Sequence, residues 1–201
     1  MMRLYDYLPS GNGYKVRLLL AQLGVRFELV QLDIVKGETR TPEFLAKNPN
    51  GRIPLLEVEP GKLLAESNAI LFYLSDGTPF LPDDRWARAQ VLQWMCFEQY
   101  SHEPNIATVR FWVHFLELTP ERKAAIDHKR PLGYAALDVM ERHLGTHRFF
   151  VNDRYSIADI ALYAYTHVAD EGGFELGRYP AVQGWLARVR EQPRHVPITE
   201  G

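Results

Sequence analysis

Two short segments carry the residue types best suited to chemistry in this 201-residue chain. The first is Asn50-Gly51-Arg52-Ile53-Pro54-Leu55-Leu56, where a proline stands between an apolar residue and a strand-like run. Proline cannot donate a ladder hydrogen bond, and X-Pro is the bond at which a cis peptide costs least. The turn before this strand is therefore expected to present backbone groups to a peptide-like ligand. The second segment is Glu66-Ser67-Asn68-Ala69-Ile70, which reads as a helix start with Ser67 as its N-cap. First-turn amides suit a carboxylate, and the Glu66 carboxylate beside them suits an ammonium. Together they fit the zwitterionic end of an amino acid or γ-glutamyl group, and one extended peptide could use both segments.

These residues need a scaffold, and the first eighty residues supply alternating signals for one. Arg3 to Tyr7 is short and aromatic, Gly13 to Leu23 is apolar at helical spacing before Gly24, and Val25 to Leu32 alternates like a strand. Pro42 to Lys47 predicts a short helix, Ile53 to Val58 a strand, Lys62 to Ala65 another after the Pro60-Gly61 turn, and Ser67 to Leu74 a closing helix. A tight turn makes the last two strands antiparallel, while a helical crossover lets the first two be parallel. The expectation is a small mixed sheet in the order β-α-β-α-β-β-α.

Between Ser75 and Asp84 the composition shifts to Gly, Pro and Asp, which marks a boundary: one domain over residues 1–76, a linker over 77–84 and a second domain over 85–201. The second domain reads as all-helical. Arg85 to Leu118 carries an apolar stripe that Pro104 should kink or break near Ser101. Thr119-Pro120 starts a helix running towards Leu144, Ser156-Ile157-Ala158-Asp159 is a capping box, and a last helix follows Pro180 to about Arg190.

Composition narrows the function. A formal charge of -2 with interspersed signs gives no electrostatic footprint for nucleic acid. No run of about 18 apolar residues occurs, and the first residues lack a signal-like stretch, so a soluble cytoplasmic protein without membrane partners is expected. The single cysteine, Cys96, excludes an intrachain disulfide framework and any Cys-x-x-Cys pair, and reads as a helix-core residue. The seven histidines show no His-x-x-x-His pair, so no metal site is expected.

A small α/β domain with a Pro-preceded strand, a Pro/Gly linker and a helical domain carrying Ser156-x-x-Asp159 resembles the cytosolic glutathione S-transferases over nearly the whole chain. The resemblance implies a thioredoxin-like first domain with a four-stranded mixed sheet. It also implies a homodimer, with glutathione as co-substrate. Ile53-Pro54 stand where that family has a cis-proline whose neighbour's backbone binds the cysteinyl part of glutathione, and Glu66-Ser67 stand where it holds the γ-glutamyl group. Arg52 is placed to meet the glycine carboxylate, and Thr39 and Arg40 are further candidates in the loop before the second helix.

The resemblance implies a thiol-activating group near the first strand end, which here reads Tyr5-Asp6-Tyr7-Leu8-Pro9-Ser10-Gly11-Asn12. Ser10, just before the first helix, occupies the place of the hydroxyl in serine-type members. A hydroxyl donor and a helix dipole both favour thiolate over thiol. Asn12 competes, because an amide donor serves as well and bacterial, theta- or nu-like members of Thr/Asn type use one there. The Tyr5 and Tyr7 side chains read as strand-end aromatics. In the helical domain, Tyr100, His102, Asn105 and Arg110 are candidates for the hydrophobic substrate site among aromatics that mostly read as core.

Three functions follow from the resemblance. The first is a transferase that ionises bound glutathione and conjugates it to a small hydrophobic electrophile. The second is a glutathione-dependent disulfide reductase or peroxidase, in which two glutathione molecules do the redox work. The third is a non-catalytic binding module on the same fold.

Overall fold

The computed structural model describes residues 1–200, which form two compact units: Met1–Asp76 together with the tail at residues 193–200, and Gly77–Gln192. In the first unit, strands β1 (Met2–Asp6), β2 (Phe27–Gln31), β3 (Leu55–Glu59) and β4 (Lys62–Ala65) form one sheet in the order β2-β1-β3-β4. β1 and β2 are parallel and joined through helix α1 (Gly11–Leu23), while β1 with β3 and β3 with β4 are antiparallel. Helices α2 (Pro42–Leu45) and α3 (Ser67–Ser75) complete the unit, which is the thioredoxin-like mixed sheet expected.

Each boundary has a local cause. Gly24 ends α1 in the left-handed region (φ 69), with its amide bonded to the Ala21 and Leu20 carbonyls. Thr41 caps α2 through Phe44 N, with Pro42 at the first position. β3 begins at Leu55 rather than Ile53, because Pro54 has no amide proton to enter the ladder. Leu4, Val16, Leu20, Leu56 and Ile70 pack on one side of the sheet, and Tyr5, Phe44 and Leu55 on the other.

The second unit is helical: α4 (Arg85–Phe97), α5 (Glu103–Phe115), α6 (Pro120–Leu144), α7 (Ile157–Thr166) and α8 (Pro180–Arg190). Pro104 does not break the chain. Its ring removes the bond to the Tyr100 carbonyl, and the backbone widens into a π turn over Glu98–His102, with the Glu103 amide on the Glu98 carbonyl. No helix among the described residues is long and apolar enough to cross a membrane.

The capping box forms as expected, and it is tied into the core. Asp159, fully buried, accepts from Ser156 N at 2.9 Å and Ser156 Oγ at 3.2 Å, and also from Trp185 Nε1 at 2.9 Å and Phe150 N at 3.3 Å. Burial pushes its carboxyl up to about 6 against the pull of these bonds. Cys96, expected in the helix core, is exposed on α4. The expectation of one helical domain over 85–201 also needs correction at its end: after α8 the tail clusters with the first unit, because residues of α1 bind its carbonyls.

Candidate active site

The sheet register brings the expected site segments to one edge. Tyr5 of β1 lies opposite Leu55 of β3, and Leu55 opposite Ala65 of β4. The end of β1, the start of β3 and the end of β4 are therefore neighbours. The residues just beyond them are the loop to Ser10, Pro54 and Glu66. The Ile53–Pro54 peptide is cis, with Pro54 buried and Ile53 half-buried against Tyr5, Phe44 and Leu55.

Glu66 takes φ 69 and ψ 112, a left-handed value that a non-glycine residue adopts only under constraint, and its carboxylate is exposed. This corrects the expected N-cap. Because Glu66 holds the non-helical backbone at the boundary, it is the cap residue, and Ser67 is already helical. Glu66 contributes no side-chain cap bond to the α3 first turn, and the buried Ser67 hydroxyl turns instead to Asn12 Oδ1 at 3.2 Å.

Ser10 caps α1, its Oγ accepting from Gly13 N at 3.5 Å. A hydroxyl that accepts from an amide keeps its own proton to donate, so capping and thiolate stabilisation are compatible. Asn12, in the first turn, has its carboxamide oxygen held by Lys15 Nζ at 2.9 Å as well as by Ser67, which makes the amide nitrogen its donating end. Lys15 Nζ also lies 3.4 Å from Ser67 Oγ. The N-termini of α1 and α3 thus meet through Asn12, Lys15 and Ser67. Two positive helix ends and a buried lysine make this edge a place for an anion.

The loop before α2 frames the other side. Gly51 (φ 60) packs so closely that a Cβ there would lie 2.5 Å from Arg40 Nη1 and 3.0 Å from the Thr39 carbonyl. Arg40 Nη1 donates to the Asn50 carbonyl at 3.1 Å, and Asn48 Nδ2 donates to the Arg52 carbonyl at 2.8 Å. Thr39 is buried and Arg52 exposed beside the cis-proline.

Behind Ser10 lies a buried ion pair, Arg17 Nε to Asp6 Oδ2 at 2.9 Å, with Tyr7 N on Asp6 Oδ1 at 2.7 Å. Desolvation pushes the Asp6 carboxyl up to about 6, opposed by the Arg17 charge. Gly13 makes room for it: a Cβ there would fall 1.6 Å from Asp6 Oδ1.

The glutathione S-transferase N-terminal domain model matches residues 1–76 and the C-terminal domain model residues 92–193. The chain belongs to the glutathione S-transferase family. Among solved members, a glutathione S-transferase from Pseudomonas fluorescens Pf-5 is 54% identical, superposes with a TM-score of 0.97, and each chain covers 99% of the other. Ure2p in complex with glutathione is 27% identical with a TM-score of 0.87, covering 96% of this chain and 95% of that one. The disulfide-bond oxidoreductase YfcG of Escherichia coli K12 is 31% identical over 96% of this chain and 92% of its own. The glutathione S-transferase fold, a thioredoxin-like domain followed by a helical one, is thus shared along the whole chain.

The four candidates of the helical domain fall in different settings. Tyr100 is 87% exposed on the π turn. His102 is fully buried, its Nε2 2.9 Å from Thr166 Oγ1, and buried Asn105 donates to the Ser101 carbonyl at 2.8 Å. Arg110 is buried, with Nε 2.7 Å from Glu171 Oε2 and its guanidinium over Phe115. Sequence reasoning missed Lys15 and the Asp6–Arg17 pair. The signal available was two cations inside an otherwise apolar helix face, where an unpaired charge would be costly.

Proposed function

We propose that this chain binds glutathione along the β1, β3 and β4 edge and ionises its thiol there. The reading is carried by the meeting of the α1 and α3 N-termini next to cis-Pro54. The Ile53 backbone pairs with the cysteinyl amide, the first turn of α3 with Ser67 takes the γ-glutamyl carboxylate, and Glu66 takes its ammonium. Arg52 and Thr39 lie towards the glycine end. Ser10 donates to the thiolate, and Asn12, poised by Lys15 and Ser67, is the second donor. The bound thiolate then attacks a small hydrophobic electrophile, forming a sulfur–carbon bond as the leaving group departs with the electron pair. Of Tyr100, His102, Asn105 and Arg110, one or two are proposed to face the electrophile, the exposed Tyr100 first and the fully buried His102 last.

Glu66→Ala is expected to weaken glutathione binding roughly tenfold or more in a calorimetric titration, with the melting temperature preserved. Unchanged affinity would remove Glu66 and the α3 start from the site.

The likeness to the disulfide-bond oxidoreductase YfcG favours a second reading. The same thiolate would attack a disulfide sulfur, expelling one thiolate. A second glutathione would then resolve the mixed disulfide to give glutathione disulfide and the second thiol. Parallel assays with an activated halide and a small disulfide separate the two. We also propose a homodimer, for which α4 offers exposed Trp86 (72%), Leu92 and Cys96. Sedimentation at micromolar concentration is expected to give twice the chain mass, and a monomer would reject it.

A further inference from the structure

We infer that the C-terminal tail, residues 195–200, is a positioning element of the Ser10 site, acting through Arg17 and Tyr14. The inference rests on the reading of Ser10 and Asn12 as the thiol-activating donors.

One guanidinium makes the connection. Arg17, buried on the second turn of α1, donates from Nε to Asp6 Oδ2 at 2.9 Å and from Nη2 to the Leu8 carbonyl at 2.6 Å. Its Nη1 donates to the Ile198 carbonyl at 3.0 Å and to the Glu200 carbonyl. The same planar fork therefore holds the end of β1, the loop that leads into Ser10, and the tail. Tyr14, three residues earlier, adds a second tie: its hydroxyl donates to the Val196 carbonyl at 2.7 Å. Having given its one proton there, it accepts from His195 Nε2 at 3.2 Å.

The tail is also shaped to lie there. Arg194 adopts φ 57, a left-handed value for a non-glycine residue, and its guanidinium sits where a Cβ on Gly24, the C-cap of α1, would come within 2.3 Å of Nη1. The loop it steadies is also tied through its backbone, Ser10 N to the Tyr7 carbonyl at 2.7 Å and Tyr14 N to the Ser10 carbonyl at 2.9 Å, so the Arg17 fork adds to bonds that fix the main chain. The Ser10 cap bond to Gly13 is at 3.5 Å, the outer limit of a hydrogen bond, and the Leu8 carbonyl is held by Arg17. Without the tail carbonyls, water reaches Nη1 and competes for the guanidinium that holds Leu8, two residues before the thiolate donor. Because the tail is read mostly through backbone carbonyls, its presence should matter more than its side chains.

The test compares wild type, a chain ending at Arg194, and Tyr14→Phe, each with and without glutathione. For the shortened chain, kcat towards an activated halide is expected to fall about tenfold, with KM for glutathione within about twofold. The bound thiol pKa should rise by about one unit, and amide exchange over residues 7–13 should quicken. Tyr14→Phe should move the same quantities in the same direction by about threefold in rate. A shortened chain that folds, yet keeps the wild-type thiol pKa and amide exchange, overturns the inference. If the shortened chain does not fold, Tyr14→Phe decides by the same readouts. If wild type itself fails to bind glutathione, the proposed function falls, and exchange over residues 7–13 in the ligand-free protein still judges the tail.

Discussion

Ser10→Ala is expected to lower turnover near neutral pH by roughly 10- to 100-fold, while glutathione binding persists through Ile53, Glu66 and Ser67. The magnitude follows from the value of one donor to an anion, about 1.5 to 3 kcal/mol, which corresponds to a rise of roughly one to two units in the bound thiol pKa. The loss should therefore shrink as pH is raised towards the new pKa. Part of the substitution acts on the helix, since Ser10 caps α1. That part is small, because the cap bond to Gly13 is long at 3.5 Å. Asn12→Ala is the companion variant, read by steady-state rates across pH and by the melting temperature. If only the Asn12 variant shifts the pH profile, the amide is the principal donor and the serine is a cap.

Asp159→Ala should destabilise the protein by about 4 kcal/mol, well beyond the roughly 1 kcal/mol of an ordinary helix cap. The excess arises because Trp185 Nε1 and Phe150 N lose their acceptor inside the core, together with Ser156 N. Chemical denaturation monitored by Trp fluorescence measures it, and a cost near 1 kcal/mol would mean that these donors find other partners. The same carboxyl sets a pH dependence of unusual sign. Its folded pKa of about 6 lies above the unfolded 3.8, so the folded state holds the proton more tightly. Its contribution is fully present below about pH 4 and is lost as pH rises through about 6. The stability advantage of wild type over Asp159→Asn should accordingly decline over that window.

Much of the fold was readable in the chain because local signals agreed with one another. The parallel β1–β2 pair followed from a helical crossover, and the antiparallel β3–β4 pair from the Pro60-Gly61 turn. The capping box followed from Ser156 and Asp159, but its link to Trp185 did not, since a contact made across the helical core leaves no mark at the box. The Ser67 expectation failed by one residue for a physical reason: propensity favours serine as a cap, whereas the observed boundary sits at Glu66 in a strained backbone that propensity does not encode. Pro104 announced an interruption of the α4–α5 run but not that the chain would absorb it as a π turn.

The site was readable where it lies on local chain and hidden where it depends on depth. The Pro54 and Glu66 segments were singled out by turn and helix-start chemistry, Ser10 became a candidate only through the family resemblance, and the sheet register explains why the three share an edge. Lys15 looked like an ordinary helix lysine until its burial against Asn12 and Ser67 was known. The tail was unremarkable in sequence, because Arg17 and Tyr14 bind its carbonyls and backbone groups carry no residue signature.

The most direct measurement is ultraviolet thiolate absorbance of glutathione bound to the wild-type chain, titrated against pH. A thiol held at the meeting of two helix N-termini and two donors should ionise at least about one unit below a free thiol near 8.5, so that the thiolate fraction at neutral pH rises several-fold. A bound thiol that titrates where free glutathione does, or a chain that takes up no glutathione at millimolar concentration, would contradict the assignment of this edge as a thiol-activating site.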